Sequence, residues 1–196
     1  MARGDSIGED AALAERAKAG DQAAFAELSR RYRPALVALA FDRTRNLDDA
    51  DDLTQEALVR ALEHIGELRD PTSFPAWLRT IASNLCVSWS RRACDLPLYD
   101  QAAADDRDIA AAAIARCEQR AIARALQALP QANRLALLMH VWDGVPYDRI
   151  AAFLGVPVTT VEGRIFRARE QLRHSLAGRI AHLGGRAKKE RRDDCR

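Results

Sequence analysis

One pattern constrains this chain more than any other: helical periodicity along almost its whole length. Alanine and leucine dominate, apolar residues return every three or four positions, and the β-branched alternation that would mark strands is nearly absent. An all-α fold follows. Ser6-x-x-Glu9 has the form of a capping box opening a helix to Ala19. Gly20 stops that helix, and Asp21 can cap a second one to about Ala40, with Phe25, Leu28, Tyr32, Leu36 and Leu39 on one face. A third begins near Asp48 with acids in its first turn, and its apolar face holds Leu53, Ala57, Leu58, Ala61, Leu62 and Ile65. After turn chemistry at Asp70-Pro71, a fourth runs from about Pro75 to Arg92.

Residues 93–112 break the pattern with five aspartates, one arginine and a proline, and read as an acidic linker. Helical pattern resumes over 114–128. Pro130 opens a helix to Trp142 with Gly144 as its stop, Tyr147–Leu154 is a short helix closed by Gly155, and a last helix starts at Thr159. The tail GGRAKKERRDDCR is charged and is expected to fray. Two small helical domains joined by an acidic linker are the expected architecture.

Bulk numbers narrow the function classes. A hydrophobic content of 48% over 196 residues supports a packed core, and a net charge of +2 carries no message about a polyanionic partner. No apolar run approaches the roughly 18 residues of a membrane span. The N-terminus MARGDSIGED lacks the apolar core of a secretory signal, so a cytoplasmic location is expected. Cys86, Cys94, Cys117 and Cys195 have no zinc-ligand spacing and read as reduced thiols, with a redox switch the lesser reading. No metal and no cofactor is expected.

PYDRIAAFLGVPVTTVEGRIFRARE has the layout of a helix-turn-helix: a short helix, a glycine-containing turn, then a longer helix. At about 100° per residue, Val161, Ile165, Ala168 and Leu172 share one face and should pack on Ile150 and Leu154. Gly163, Phe166, Arg167 and Glu170 then lie opposite. Phe166 suits contact with a thymine methyl, or packing against a partner; the arginines suit guanine edges or phosphate, or a solvated face. Gly163 would let the backbone approach DNA closely. Thr159-x-x-Glu162 fits a capping box, and the alternative for Glu162 is acceptance from cytosine N4.

In the N-terminal half, LDDADDLTQEALVRAL gathers Asp48, Asp49, Asp51, Asp52 and Glu56 without a base. A solvated helix start, a carboxylate metal site and a docking face for a basic partner are the open readings; Asp52 and Glu56 share a face with Gln55 beside them, which suits docking. The fourth helix buries Phe74, Leu78, Ile81 and Leu85. Its opposite face of Arg79, Ser83, Cys86, Val87 and Ser90 has no acid, which is compatible with nucleic acid. Trp77 and Trp89 border the buried face as core side chains or, less readily, as stacking platforms.

DADDLTQEALVRAL, FPAWLRTIASNLCVSWSRR and LPQANRLALLMHVWDGVPYDRIAAFLGVPVTTVEGRIFRAREQLRHSL, in this order and at domain-scale spacing, resemble the extracytoplasmic-function sigma factors of the bacterial sigma-70 family. The resemblance spans about residues 9–176. It implies sigma region 2 over 9–92, a linker over 93–113, sigma region 4 over 114–178 and a charged tail over 179–196. It further implies a non-enzymatic specificity subunit that binds the clamp and flap regions of core RNA polymerase and promoter DNA, often under an anti-sigma factor, with no membrane partner and with a stress or envelope signal as the inducer.

Residue by residue, the resemblance assigns polymerase binding to Asp48, Asp51, Asp52, Gln55 and Glu56. It assigns minus-ten DNA contact to Glu67, Arg69, Asp70, Trp77, Arg79, Asn84, Arg91 and Arg92, with the loop Gly66–Ser73 receiving a flipped base. It assigns minus-thirty-five contact to Thr160, Glu162, Gly163, Arg164, Phe166 and Arg167, although the family often has a basic or polar residue and a serine at the positions of Glu162 and Gly163. The competing readings are a helix-turn-helix regulator acting without a sigma role and a metal-dependent nucleic-acid enzyme built on the aspartates.

Overall fold

The computed structural model describes residues 5–94 and 121–193, with side-chain surroundings for 7–92, 121–142 and 144–177. Among the described residues there are helices and turns and no strand. The helices are α1 (Asp5–Lys18), α2 (Gln22–Thr44), α3 (Leu47–His64), α4 (Phe74–Cys94), α5 (described over residues 121–127), α6 (Gln131–Asp143), α7 (Tyr147–Leu154) and α8 (Val158–Asp193). Single 3-10 turns occupy Ile65–Glu67 and Pro71–Ser73. Most of the acidic linker, the start of the helix expected at Ile114, Cys117 and Cys195 lie outside the described residues.

Local chemistry sets most of these boundaries. Asp21 adopts extended backbone and accepts from the N–H groups of Ala23 and Ala24, capping α2. Its carboxyl is held below its ordinary range by the Ala24 hydrogen bond and by Arg16. α2 continues past the expected end to Thr44, where Arg45 turns left-handed (φ 58°) and its N–H reaches the Phe41 carbonyl. Asn46 then caps α3 through Asp48 and Asp49. α1 begins at Asp5, so Ser6 lies inside its first turn rather than at its cap. α8 also departs from expectation. The tail expected to fray continues as helix to Asp193.

By internal packing the chain divides into two compact units: residues 1–99 with 135–163, and residues 100–134 with 164–196. In the first, α2 packs against α1, α3 and α4, and α7 packs against α4 and α1. Leu28, Tyr32, Leu36, Phe74, Leu78 and Leu85 are all at most 2% exposed and form its centre. The Tyr32 ring meets the Phe74 ring edge-on at 5.7 Å. In the second unit, buried Arg134 donates to the carbonyls of Gln127 (3.2 Å) and Leu129 (2.9 Å), satisfying acceptors at the end of α5.

A buried carboxylate organises the first unit. Asp10, 2% exposed, accepts from the Tyr32 hydroxyl (2.6 Å), from Arg31 Nη1 (2.7 Å) and from Arg149 Nε (3.4 Å). Arg31 also bonds Glu27 and Glu9, and together with Arg30 it draws the Glu27 carboxyl down to about 2. Burial, then the Asp10 bond, pushes the Tyr32 phenol well above its ordinary range.

Tyr32→Phe removes a donor from a buried charge, so urea denaturation should show a loss of about 1–3 kcal/mol. The raised phenol gives the wild type a stability term that is full below about pH 10 and fades as pH rises beyond it. That alkaline decline should be shallower in Tyr32→Phe, and identical pH profiles would contradict the assignment.

Candidate functional site

Three surfaces carry the residues singled out by the sequence. The first is the outer stripe of α3. At about 100° per residue, Asp48, Asp52, Gln55, Val59 and Leu62 fall on one line, and all five are exposed. Asp51 pairs with Arg33 at 3.1 Å and Glu56 with Arg60 at 2.6 Å, so these two acids are already engaged. The stripe is acidic at its start and apolar at its end, where Val59 is 55% and Leu62 49% exposed. Leu62 therefore leaves the buried face expected for it; helical phase puts it beside Gln55 and Val59 rather than beside Leu53. Val59 and Leu62 are the residues that sequence reading missed here, and the available signal was an apolar pair in phase with the acids.

The second surface is the loop before α4 and the exposed side of α4. Asp70 accepts from the Thr72 N–H (2.9 Å) and from the Thr72 hydroxyl, and its own carbonyl accepts from Ser73 Oγ (2.6 Å). The Thr72 bonds hold the Asp70 carboxyl below its ordinary range. Buried Leu68 pins the loop, while Glu67, Arg69 and Asp70 stay exposed, Glu67 with His64 Nδ1 at 2.9 Å. On α4, Asn84, Val87, Arg91 and Arg92 are exposed. Trp77 is half-buried against Phe74 at 6.0 Å, as a core side chain would be. Arg79 is half-buried, and its Nε is enclosed without a hydrogen-bond partner.

Cys86 corrects the expected open face of α4. It is 3% exposed and lies within electrostatic reach of Arg43 and Asp42, because the packing of α4 on α2 covers it. The Ser90 hydroxyl is spent on the Cys86 carbonyl. What remains open on α4 is Thr80, Asn84, Val87, Ser88, Ser90, Arg91 and Arg92, with no acid among them.

The third surface is the helix-turn-helix. Gly155 (φ 67°) ends α7 with its N–H on the Ala151 carbonyl, which a residue with a Cβ reaches only with strain. The Pro157 carbonyl then accepts from the N–H groups of Thr160 and Val161, so α8 starts at Val158. Thr159 is thus inside the first turn and is not the cap. The capping box expected with Glu162 does not form, and Glu162 sits beyond the first turn, half-buried. On α8, Val161, Ile165 and Ala168 are at most 1% exposed, as their spacing predicts. On the opposite side Phe166 is 66% exposed beside exposed Arg167, with Thr160, Gly163 and Arg164 half-buried. Leu154 is half-buried and Phe153 is the fully buried residue of that turn. Glu170 pairs along the helix with Arg173.

Among the described residues no three His, Cys, Asp or Glu side chains converge as a metal ion would require, and no helix is long and apolar enough to cross a membrane.

Residues 28–94 match the family description Sigma-70 region 2, and residues 119–172 match Sigma-70, region 4. The chain is 33% identical over 174 residues to RfaY of Xanthomonas campestris pv. campestris, a protein named as a probable RNA polymerase sigma factor, covering 84% of this chain but only 43% of RfaY. It is 32% identical over 179 residues to the ECF RNA polymerase sigma-E factor of Escherichia coli K12, covering 83% of this chain and 92% of that protein. The solved structure of CnrH in complex with the cytosolic domain of CnrY is similar with a TM-score of 0.55 at 30% identity, covering 87% of this chain and 98% of that one.

The Asp70 turn makes a direct prediction. Asp70→Ala should speed amide hydrogen exchange at Thr72 and Ser73 several-fold. In the wild type, a depressed carboxyl keeps this protection above the ordinary carboxylate range and loses it as pH falls below. Exchange rates unchanged by the substitution would rule out the cap.

Proposed function

The chain belongs to the sigma-70 family, in its extracytoplasmic-function branch, and from that premise we propose how its three surfaces divide the work of promoter recognition. It is a sigma factor, directing core RNA polymerase to promoters and starting transcription there. Sigma factors are in general non-enzymatic, DNA-binding regulators of transcription.

The α3 stripe is the polymerase-docking surface. Asp48, Asp52 and Gln55 meet a basic partner, and Val59 and Leu62 extend the contact into an apolar patch; Asp51 and Glu56 join only by exchanging Arg33 and Arg60 for polymerase groups. We assign this partner to the polymerase clamp, and the flap to region 4. The loop with Glu67, Arg69 and Asp70, followed by Trp77, Arg79, Asn84, Arg91 and Arg92 on α4, engages the minus-ten element. A base flipped from the strand and held by the protein offsets a few kcal/mol of unpairing, so opening needs no fuel from the sigma subunit.

The observation that carries the reading is the open face of α8, where a 66%-exposed phenylalanine stands beside an exposed arginine above a fully buried seam. Water is a poor environment for such a phenylalanine, and a thymine methyl is a good one. Thr160, Gly163 and Arg164 flank it. Without a capping duty, Glu162 is available to accept from cytosine N4. Region boundaries of 9–92 and 114–178, joined by the acidic linker 93–113, belong to the same reading; the family matches over 28–94 and 119–172 fall largely within them. A cytoplasmic location, induction by a stress or envelope signal, and control by an anti-sigma factor complete the proposal; the similarity to CnrH, solved with the cytosolic domain of CnrY, supports a protein partner.

Addition of the chain to core polymerase should give promoter-specific transcripts, and failure to bind core would overturn the sigma assignment. Asp52→Lys should weaken core binding at least tenfold, about 1.4 kcal/mol or more, while leaving duplex binding intact. A helix-turn-helix regulator acting alone would instead keep full activity in Asp52→Lys. Arg167→Ala should weaken binding to minus-thirty-five duplex and lower the log K against log salt slope by about one; an unchanged slope would remove Arg167 from the phosphate contacts.

A further inference from the structure

We propose that α1 is the back wall of the loop that carries Glu67, Arg69 and Asp70, and that Asp10 is a positioning residue for minus-ten reading, an inference that rests on the minus-ten assignment above. At 2% exposure Asp10 is too deeply enclosed to touch DNA itself. α1 precedes the stretch matched to region 2, which begins at residue 28, and carries none of the residues assigned to polymerase or promoter.

α1 is tied to α2 at two points. The Asp10 carboxylate accepts from the Tyr32 hydroxyl at 2.6 Å and from Arg31 Nη1 at 2.7 Å. Near the other end, Arg16 donates to Asp21 through Nε (3.0 Å) and Nη2 (2.6 Å). The two ties lie about 9 Å apart along the axis at about 1.5 Å rise per residue, far enough to stop α1 from rolling or sliding on α2. Asp10, Ala14 and Ala17 are buried in one line down the helix, and the two alanines let neighbours lie close.

The helix fixed in this way lies against the loop. α1 packs on the 3-10 turn Pro71–Ser73, on the turn Ile65–Glu67 and on α4. Pro71 and Ser73 are half-buried, whereas Glu67, Arg69, Asp70 and Thr72 are exposed. The loop thus has a covered back and an open front, and the front holds the residues assigned to the minus-ten element. A second route runs through the core. The Tyr32 ring, whose hydroxyl binds Asp10, meets the Phe74 ring edge-on at 5.7 Å. Phe74 follows Ser73 directly, and its N–H donates to the Pro71 carbonyl. Asp10, Tyr32 and Phe74 therefore link α1 to the end of the loop by contact. The Asp70 bonds to Thr72 give the turn its local shape, but they do not fix where it stands on the protein. Recognition needs its groups held within about 0.5 Å, and a short exposed turn without backing opens too readily for that. Loss of Asp10 frees the position of the loop, so discrimination among minus-ten bases falls while minus-thirty-five reading is spared.

The test uses the full chain with core polymerase on two promoter libraries, one randomised at the minus-ten element and one at the minus-thirty-five element, with transcripts counted by sequencing. Asp10→Ala should lower the ratio of best to worst base at minus ten by about fivefold or more and leave the minus-thirty-five ratio within about twofold of the wild type. Asp10→Asn, which can still accept from the Tyr32 hydroxyl, should recover part of the loss. Tyr32→Phe keeps a ring against Phe74 but cuts the tie to Asp10; it should show the same loss in part, and it decides the matter if circular dichroism finds Asp10→Ala unfolded. In the free chain, amide hydrogen exchange at Ser73 and Phe74 should speed up about threefold or more in Asp10→Ala while Ala57 and Ala61 of α3 stay unchanged. An unchanged minus-ten ratio in folded variants overturns the proposal, because the loop then stands without α1. Equal losses at both elements also overturn it, because Asp10 then serves general stability alone. Failure of the sigma assignment would appear separately, as absence of promoter-specific transcripts from the wild type, and the exchange measurement then decides by itself whether α1 holds the loop.

Discussion

The carboxylate of Asp10 is the point on which the first unit turns. A charge this deeply enclosed is tolerable only when donors surround it, and here a phenol and two guanidinium groups do so from α2 and α7. The arrangement commits α1 to a single orientation on α2. It also makes the Tyr32 ring a shared wall, with Phe74 on one contact and Phe153 on another. A hydrophobic residue at position 10 would bury as well, but would give α2 and α7 no reason to present their polar groups to the same spot. Specific geometry, more than raw stability, is what this group contributes.

The packing also explains why the working surfaces look as they do. α3 gives its small and apolar side to α2 and α4 and keeps a straight outer stripe whose character changes from acid to aliphatic along its length. α4 is covered on several sides, which leaves Thr80, Asn84, Val87, Ser88, Ser90 and the terminal arginines as its exposed part. α8 holds its aliphatic seam buried and leaves Phe166 and Arg167 open. In each case the exposed residues are those that the helical phase leaves after the buried neighbours are placed.

How much of this was legible in the sequence depends on the range of the physics involved. The ends of α7, the Asp21 cap and the buried seam of α8 rest on neighbours within a turn or two, and the local pattern was enough to read them. The Glu162 capping box failed because a proline carbonyl two residues earlier took the cap position, so a motif of the right spacing sat in the wrong register. Leu62 and Cys86 failed differently: which flank of a helix is covered depends on distant partners, and no local periodicity encodes that. The convergence of Asp10, Tyr32 and Arg149 joins residues more than a hundred positions apart and had no sequence signature at all. Fold class and motif order were readable; the polar centre that orients the motifs was not.

Cys86 lies sealed in the packing of α4, and burial pushes its thiol up, away from the reactive thiolate. Oxidants and electrophiles attack the thiolate, so this sulfur is chemically silent for as long as the helices stay together. Its modification under native conditions proceeds only through openings of the α2–α4 packing. Cys86 is in that sense a clock fitted inside the protein, whose slow ticking against a small thiol reagent measures how often this part of the bundle comes apart.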